Sequence, residues 1–139
     1  MVADVRNITN GMVGCVQPAE LVLFQENDSS VPLLEWLDSL TPKARLKCLA
    51  RLERLEEFGH DLRRPIADYL GDDIYELRAK HLGVNYRMLY FFHGTAVVVV
   101  SHGLSKQEAK VPKREIERAV DRKNRFRSSP SSHSFRLES

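Results

Sequence analysis

The sequence predicts an α+β domain in which an opening strand and a helical hairpin precede a three-stranded antiparallel meander and a basic C-terminal helix. Three observations carry that prediction. Apolar residues recur at helical spacing from Leu33 to Phe58. Side chains alternate with period two from Ile74 to Lys80 and again from Asn85 to Phe92, the period of strands that rest one face on a core. The chain has 139 residues, enough for one hydrophobic core and too few for two.

Each element has its own signals. Leu21-Val22-Leu23-Phe24 is a short apolar run ended by the turn-like Glu26-Asn27-Asp28-Ser29-Ser30, which suits an opening strand of the same antiparallel sheet. Ser30 ahead of Val31 and Pro32 supplies an N-cap and a helix-opening proline, and Leu33, Leu34, Trp36, Leu37 and Leu40 follow at helical spacing. Thr41-Pro42 repeats the start signal. Leu46, Leu49, Leu52, Leu55 and Phe58 then recur every third residue, a broad apolar face opposite Lys47, Arg51 and Arg54, and Gly59 stops the helix.

The pattern changes after Pro65. Tyr75, Leu77 and Ala79 alternate with Glu76, Arg78 and Lys80, so the apolar set packs on the helices and the charged set points outward. Gly83 permits a turn. Tyr86, Met88, Tyr90 and Phe92 then face one way and Arg87, Leu89 and Phe91 the other. His93-Gly94-Thr95 turns the chain into Ala96–Val100, apolar and β-branched enough for a central strand. Pro112 opens the last helix, with Ile116, Ala119 and Val120 docked on the sheet and Lys113, Arg114, Arg118, Arg122 and Lys123 solvated. The domain spans 20–126, between an N-terminal arm over 1–19 and a Ser-rich tail over 127–139 expected to be disordered. A hairpin on one sheet face leaves the other face, or part of it, exposed.

Charge is distributed unevenly. The net charge is +2, but residues 74–127 hold 12 bases and 5 acids, which points to an anionic partner for that half. The longest apolar run, Ala96–Val100, is far short of the roughly 20 residues a membrane-spanning helix needs. Met1–Asn10 has no apolar stretch of signal-peptide length, so the protein is expected in the cytoplasm. Cys15 and Cys48 form no CxxC pair and lie far from any His cluster, which argues against structural zinc and against a disulfide scaffold.

Arg78, Lys80 and Arg87 fall on adjacent strands, with Lys106 and Lys110 just after the third. Clustered cations repel one another, and a fold tolerates them when an anion such as a phosphate fills the site. Charge alone suits a solvated polar face, partly neutralised by Glu76 and Glu108, better than an anion site. Tyr75, Tyr86 and Tyr90 lie on the face the helices need and read as core rather than base-stacking platforms. No GxSxG, HExxH or phosphate-binding loop is present. Asp72 and Asp73 read as turn residues. His102 is either a proton donor or an ordinary loop histidine.

The series Leu62-Arg63-Arg64-Pro65, Ile74-Tyr75-Glu76-Leu77-Arg78, Asn85-Tyr86-Arg87-Met88-Leu89-Tyr90-Phe91, His102-Gly103-Leu104-Ser105-Lys106 and Lys110-Val111-Pro112-Lys113-Arg114-Glu115-Ile116 resembles the RelE/ParE toxin superfamily, nearest its phage-derived HigB-like branch, over residues 20–126. The resemblance implies a RelE-like fold. It also implies a type II toxin–antitoxin toxin that cuts mRNA on the ribosome without a metal or other cofactor, with mRNA, the ribosome and a helix-turn-helix antitoxin as partners and no membrane. It carries basic catalytic roles onto Arg78, Lys80, Arg87 and Lys106. The chain departs from RelE-like members at Glu76, where they have lysine, and has no matching tyrosine near Lys110–Pro112, which leaves His102 and Lys110 as candidates for the acid. The ParE branch shares the fold and inhibits DNA gyrase without cutting RNA, so a gyrase inhibitor or a toxin-like binding module is the competing class.

Overall fold

The computed structural model describes residues 18–106 and 110–137. The N-terminal arm up to residue 17, Cys15 with it, and Glu108 lie outside the described residues. The elements run β1 (Glu20–Phe24), α1 (Pro32–Asp38), α2 (Pro42–Phe58), β2 (Ala67–Gly71), β3 (Ile74–His81), β4 (Val84–His93), β5 (Val97–Lys106), α3 (Lys113–Ser128) and β6 (Ser134–Phe135), with short 3₁₀ turns at Gly59–Asp61 and Pro130–His133. The six strands form one sheet in the order β2-β3-β4-β5-β1-β6.

The turns follow from local chemistry. Asp72 and Asp73 link β2 to β3 with φ of 54° and 64°, and Leu82-Gly83 link β3 to β4 with φ of 51° and 80°. Two successive positive φ values are what a two-residue hairpin loop requires. The meander is therefore four strands long. The strand missed by period counting is β2, whose paired stretch holds Tyr69 opposite Tyr75 before a register shift ahead of Gly71.

One sheet face carries the hairpin. Leu33 and Leu37 of α1, and Cys48, Leu52 and Leu55 of α2, join Leu23, Leu77, Met88, Tyr90, Val98 and Val100 in one buried cluster. Thr41 caps α2, its hydroxyl accepting the Ala44 N–H at 3.3 Å. Gly103 of β5 marks a close approach, since a Cβ there would fall 2.2 Å from the Trp36 ring. Leu46 is 64% exposed, against expectation. A step of three residues drifts ~60° around a helix at each repeat, so five such positions cannot share one stripe. Ser30 does not cap α1 either. Val31 holds that position, and the Ser30 hydroxyl donates to Asp28 at 2.7 Å.

Helix α3 covers much of the opposite face. Ala119 and Phe126 are buried with Val22, Phe24, Ile74, Leu89, Phe91 and Val99, and Ile116 and Val120 pack against them. Burying a phenylalanine side chain is worth about 1.5–3 kcal/mol, and Phe126 lies at the predicted edge of the domain. Three expectations are corrected here. First, β1 pairs with β5 in parallel, not antiparallel. No tight turn links two strands more than seventy residues apart, and the apolar alternation of β1 is the same in either direction. Second, the tail is ordered from Pro130 to Phe135: β6 pairs with β1, and the buried His133 ring stacks on Phe24 at 4.8 Å. Third, Lys123 is buried rather than solvated, donating to the Asp72 carbonyl at 2.8 Å. Its apolar stem packs inside while its ammonium reaches the rim.

Candidate nucleic-acid interface

Strand register brings the predicted cations together in rows. Arg78 pairs directly with Arg87, which pairs with Leu104 on β5, and Asn85 pairs with both Lys80 and Lys106. Neighbouring strands lie ~4.8 Å apart and alternate residues share a face, so these residues occupy one end of the face that α3 covers in part. Lys106 is placed by its backbone, and its side chain lies outside what is described. Lys110 is exposed, just ahead of the Pro112 cap of α3.

This end is not the open cationic platform that the alternation predicts. Arg87 is buried, 6% exposed, with Nε 3.5 Å from the Glu76 carboxylate. Glu76 is itself 3% exposed and sits in the next row, opposite Leu89. Arg78 bonds Glu76 through Nε at 3.1 Å and Nη2 at 2.7 Å, and reaches Asp68 of β2 at 3.1 Å. The Glu76 hydrogen bond, against some burial, raises the Arg78 pKa further. Asp68 also accepts from Arg64 at 3.0 Å, and that bond draws its carboxyl below the usual range. The physical reason is general: a guanidinium under apolar cover needs a carboxylate beside it. The crowding expected around Lys80 is thus offset by Glu76 and Asp68.

Lys80 remains exposed. Strand β2 stops short of it: Ala67 pairs with Leu77, the Ile66 carbonyl takes the Arg78 N–H at 2.7 Å, and the pairing goes no further. At this edge a cleft of about 330 Å³ is lined by Arg51, Pro65, Ile66, Arg78, Lys80 and Asn85, among others. Arg51 of α2 is fixed at its wall by a bond from Nε to the Arg78 carbonyl at 3.0 Å. Arg78 and Lys80 of one strand and Arg51 of a helix thus meet at a partly open edge, an arrangement that can hold a phosphodiester by charge and by the fork of a guanidinium.

His102 takes no part in that cleft. It is 5% exposed beneath α3, with Ser101 Oγ 2.7 Å from Nδ1 and Glu115 Oε1 2.9 Å from Nε2. The pattern is satisfied by a neutral ring that accepts the Ser101 hydroxyl and donates to Glu115. Burial, opposed by the Glu115 bond, pushes the His102 pKa down to about 4. A buried ring that is neutral at pH 7 is a poor proton donor, so His102 is corrected from candidate acid to a pin holding the first turn of α3.

The residues missed from sequence are Glu76 as a buried hub, Asp68, Arg64 and Arg51. Glu76 stood out only as a departure from the family pattern. Asp68 was findable, since Gly71-Asp72-Asp73 before a strand is a hairpin signal that implies a strand ahead of it. Arg51 borders the buried stripe of its helix, one turn from Cys48 and Leu55, and its charge gives no sign in the sequence of a distant partner.

No helix among the described residues is long and apolar enough to cross a membrane. No curated protein matches the chain. The family model described as Phage derived protein Gp49-like (DUF891) matches residues 35–124. That span runs from within α1 to within α3 and contains the whole meander, the rows of Arg78, Arg87, Lys80 and Lys106, and the Glu76 hub. The chain therefore belongs to the phage-derived Gp49-like family, a family of RelE/ParE-like toxins.

Proposed function

We propose that this protein is the toxin of a type II toxin–antitoxin pair, of the HigB-like branch, and that it cuts mRNA on the ribosome at the β3 edge without a metal. The observation that carries the reading is the cleft where Arg78, Lys80 and Arg51 converge beside the buried Arg87–Glu76 pair. In the reaction, a base removes the proton of a ribose 2′-hydroxyl and the freed oxygen attacks the adjacent phosphorus. The bond from phosphorus to the 5′-oxygen breaks, an acid protonates that oxygen, and a 2′,3′-cyclic phosphate is left. Arg78 faces the charge that grows on the phosphate. The base falls to the Lys80–Asn85–Lys106 row, and with His102 buried the acid falls to Lys110. An antitoxin with a helix-turn-helix domain and an acidic segment that covers this edge is the partner.

A competing reading has one observation in its favour. Arg87 and Arg78 are both engaged by Glu76, and such a site suits docking on a partner, as in a gyrase inhibitor, better than catalysis by crowded cations. Cell-free translation with mapping of mRNA ends, run beside a gyrase supercoiling assay, decides between them. Cuts that persist in EDTA, on ribosomes stabilised independently, support the nuclease. Loss of supercoiling with intact mRNA overturns it.

A further inference from the structure

Another cavity, of about 620 Å³, opens on the hairpin face beside β2. Its walls are aromatic. Tyr75 and Tyr90 stack at 5.3 Å, Tyr69 tilts against Tyr75 at 5.0 Å, and His60 stacks on Phe92 at 3.6 Å. Tyr69 is 52% exposed, yet it is held in place, because its hydroxyl accepts the Asp73 N–H at 3.1 Å. The expectation that Tyr75, Tyr86 and Tyr90 are core is met fully at Tyr90, which is 1% exposed, whereas Tyr75 and Tyr86 are half-buried against the core cluster and Tyr75 lines the opening. Arg63 stands at the rim, donating to the His60 carbonyl at 2.6 Å.

This basin adjoins the cationic cleft. Only the segment from Leu62 to Ala67 separates them, and a chain of ion pairs crosses it from Arg64 through Asp68 to Arg78. Tyr75 and Ala79 lie ~13 Å apart on the hairpin face of β3, whereas Arg78 and Lys80 stand on the opposite face, so a strand that reaches both sites passes over the β3 edge. Fixed ring faces with guanidinium groups at the rim suit a planar, polar-edged ring on a charged backbone better than an aliphatic chain.

We infer that the basin walled by Tyr69, Tyr75 and Phe92 stacks a nucleobase of the same single RNA strand whose phosphate lies in the Arg78–Lys80 cleft. This rests on the nuclease reading for the identity of the strand. It would give the protein a base preference at a position flanking the bound phosphate, since stacking strength differs among bases.

The test uses the full chain, a short 2′-O-methyl oligouridine at low salt, and 2-aminopurine placed at each position in turn. Stacking quenches 2-aminopurine. One position is expected to be quenched on binding, an abasic residue there to weaken binding about tenfold, and Tyr69→Ala to abolish both effects. Tyr69→Phe, which keeps the ring, retains them. If no position is quenched at saturating protein, or if Tyr69→Ala is quenched like wild type, the basin is not a base subsite. The cell-free cleavage assay decides the parent reading separately: cleavage by wild type with unchanged rate and base preference in Tyr69→Ala sinks the basin alone, and intact mRNA with the unaltered protein sinks the nuclease.

Discussion

The two ends of the sheet face that carries α3 hold cations with different fates. On the inner side of α3 itself, Lys123 is 6% exposed and ends on the Asp72 carbonyl, while Arg122 bonds Glu26 at 3.0 Å. At the far end the Arg78 side chain keeps 37% exposure and Lys80 is open to solvent. Both ends are basic in sequence. The difference lies in cover: a cation under a helix must end on an acceptor of the protein itself, whereas one at an uncovered strand edge can turn to an incoming anion. Arg87 stands between the two, buried on Glu76 beneath the exposed pair, where it stiffens the platform.

The sharpest way to break this comparison is at Glu76. Glu76→Ala takes the buried carboxylate from Arg87 and should cost about 3–5 kcal/mol of stability, read from urea unfolding. A loss below ~1 kcal/mol would mean that the pair is incidental to the platform.

The next test is pH. His102 titrates at about 4 in the fold and near 6.5 when unfolded. Between those values the unfolded chain binds the extra proton, so stability is fully present above pH 6.5 and falls as the pH drops towards 4. The full effect is on the order of 3 kcal/mol. Over pH 5 to 6.5, where most carboxylates remain ionised, the unfolding free energy of wild type should slope more steeply than that of His102→Gln. Equal slopes would show that the ring titrates normally.

Smaller still is Lys123→Met, which keeps the packed stem and removes the bond to Asp72. A loss of about 1.5 kcal/mol is expected by thermal or chemical unfolding. Under the same measurement Lys80→Ala should stay within about 0.5 kcal/mol of wild type, as an exposed side chain away from the packing.

Much of the fold was legible in the sequence because period and turn chemistry are local. The Thr41 cap, the Asp72-Asp73 and Gly83 turns, and the docking of Ile116, Ala119 and Val120 all follow from neighbours along the chain. The direction of β1, the return of Phe135 to the sheet and the burial of Phe126 depend on contacts made across more than sixty residues in two of those cases and on the closing of α3 in the third. None of these leaves a periodic trace. For the site, alternation put Arg78, Lys80 and Arg87 on one face, and the strand register agrees. Alternation carries no information on cover, so it could not separate buried Arg87 from exposed Lys80, or show that Glu76 lies between two arginines. His102 was misplaced for the same reason: the apolar run ends at Val100, but β5 runs on to Lys106 with His102 inside it, and only α3 decides that it is enclosed.

In the proposed nuclease the uncovered β3 edge, and not the basic inner side of α3, acts on RNA. The most direct measurement compares mRNA cutting in cell-free translation by wild type, Lys80→Ala and Lys123→Met, at a temperature where all three are folded. Lys123→Met is expected to cut at the wild-type rate and Lys80→Ala to fall by roughly 100-fold. Cutting by Lys80→Ala at the rate of wild type, in a reaction where wild type cuts well, would contradict that reading.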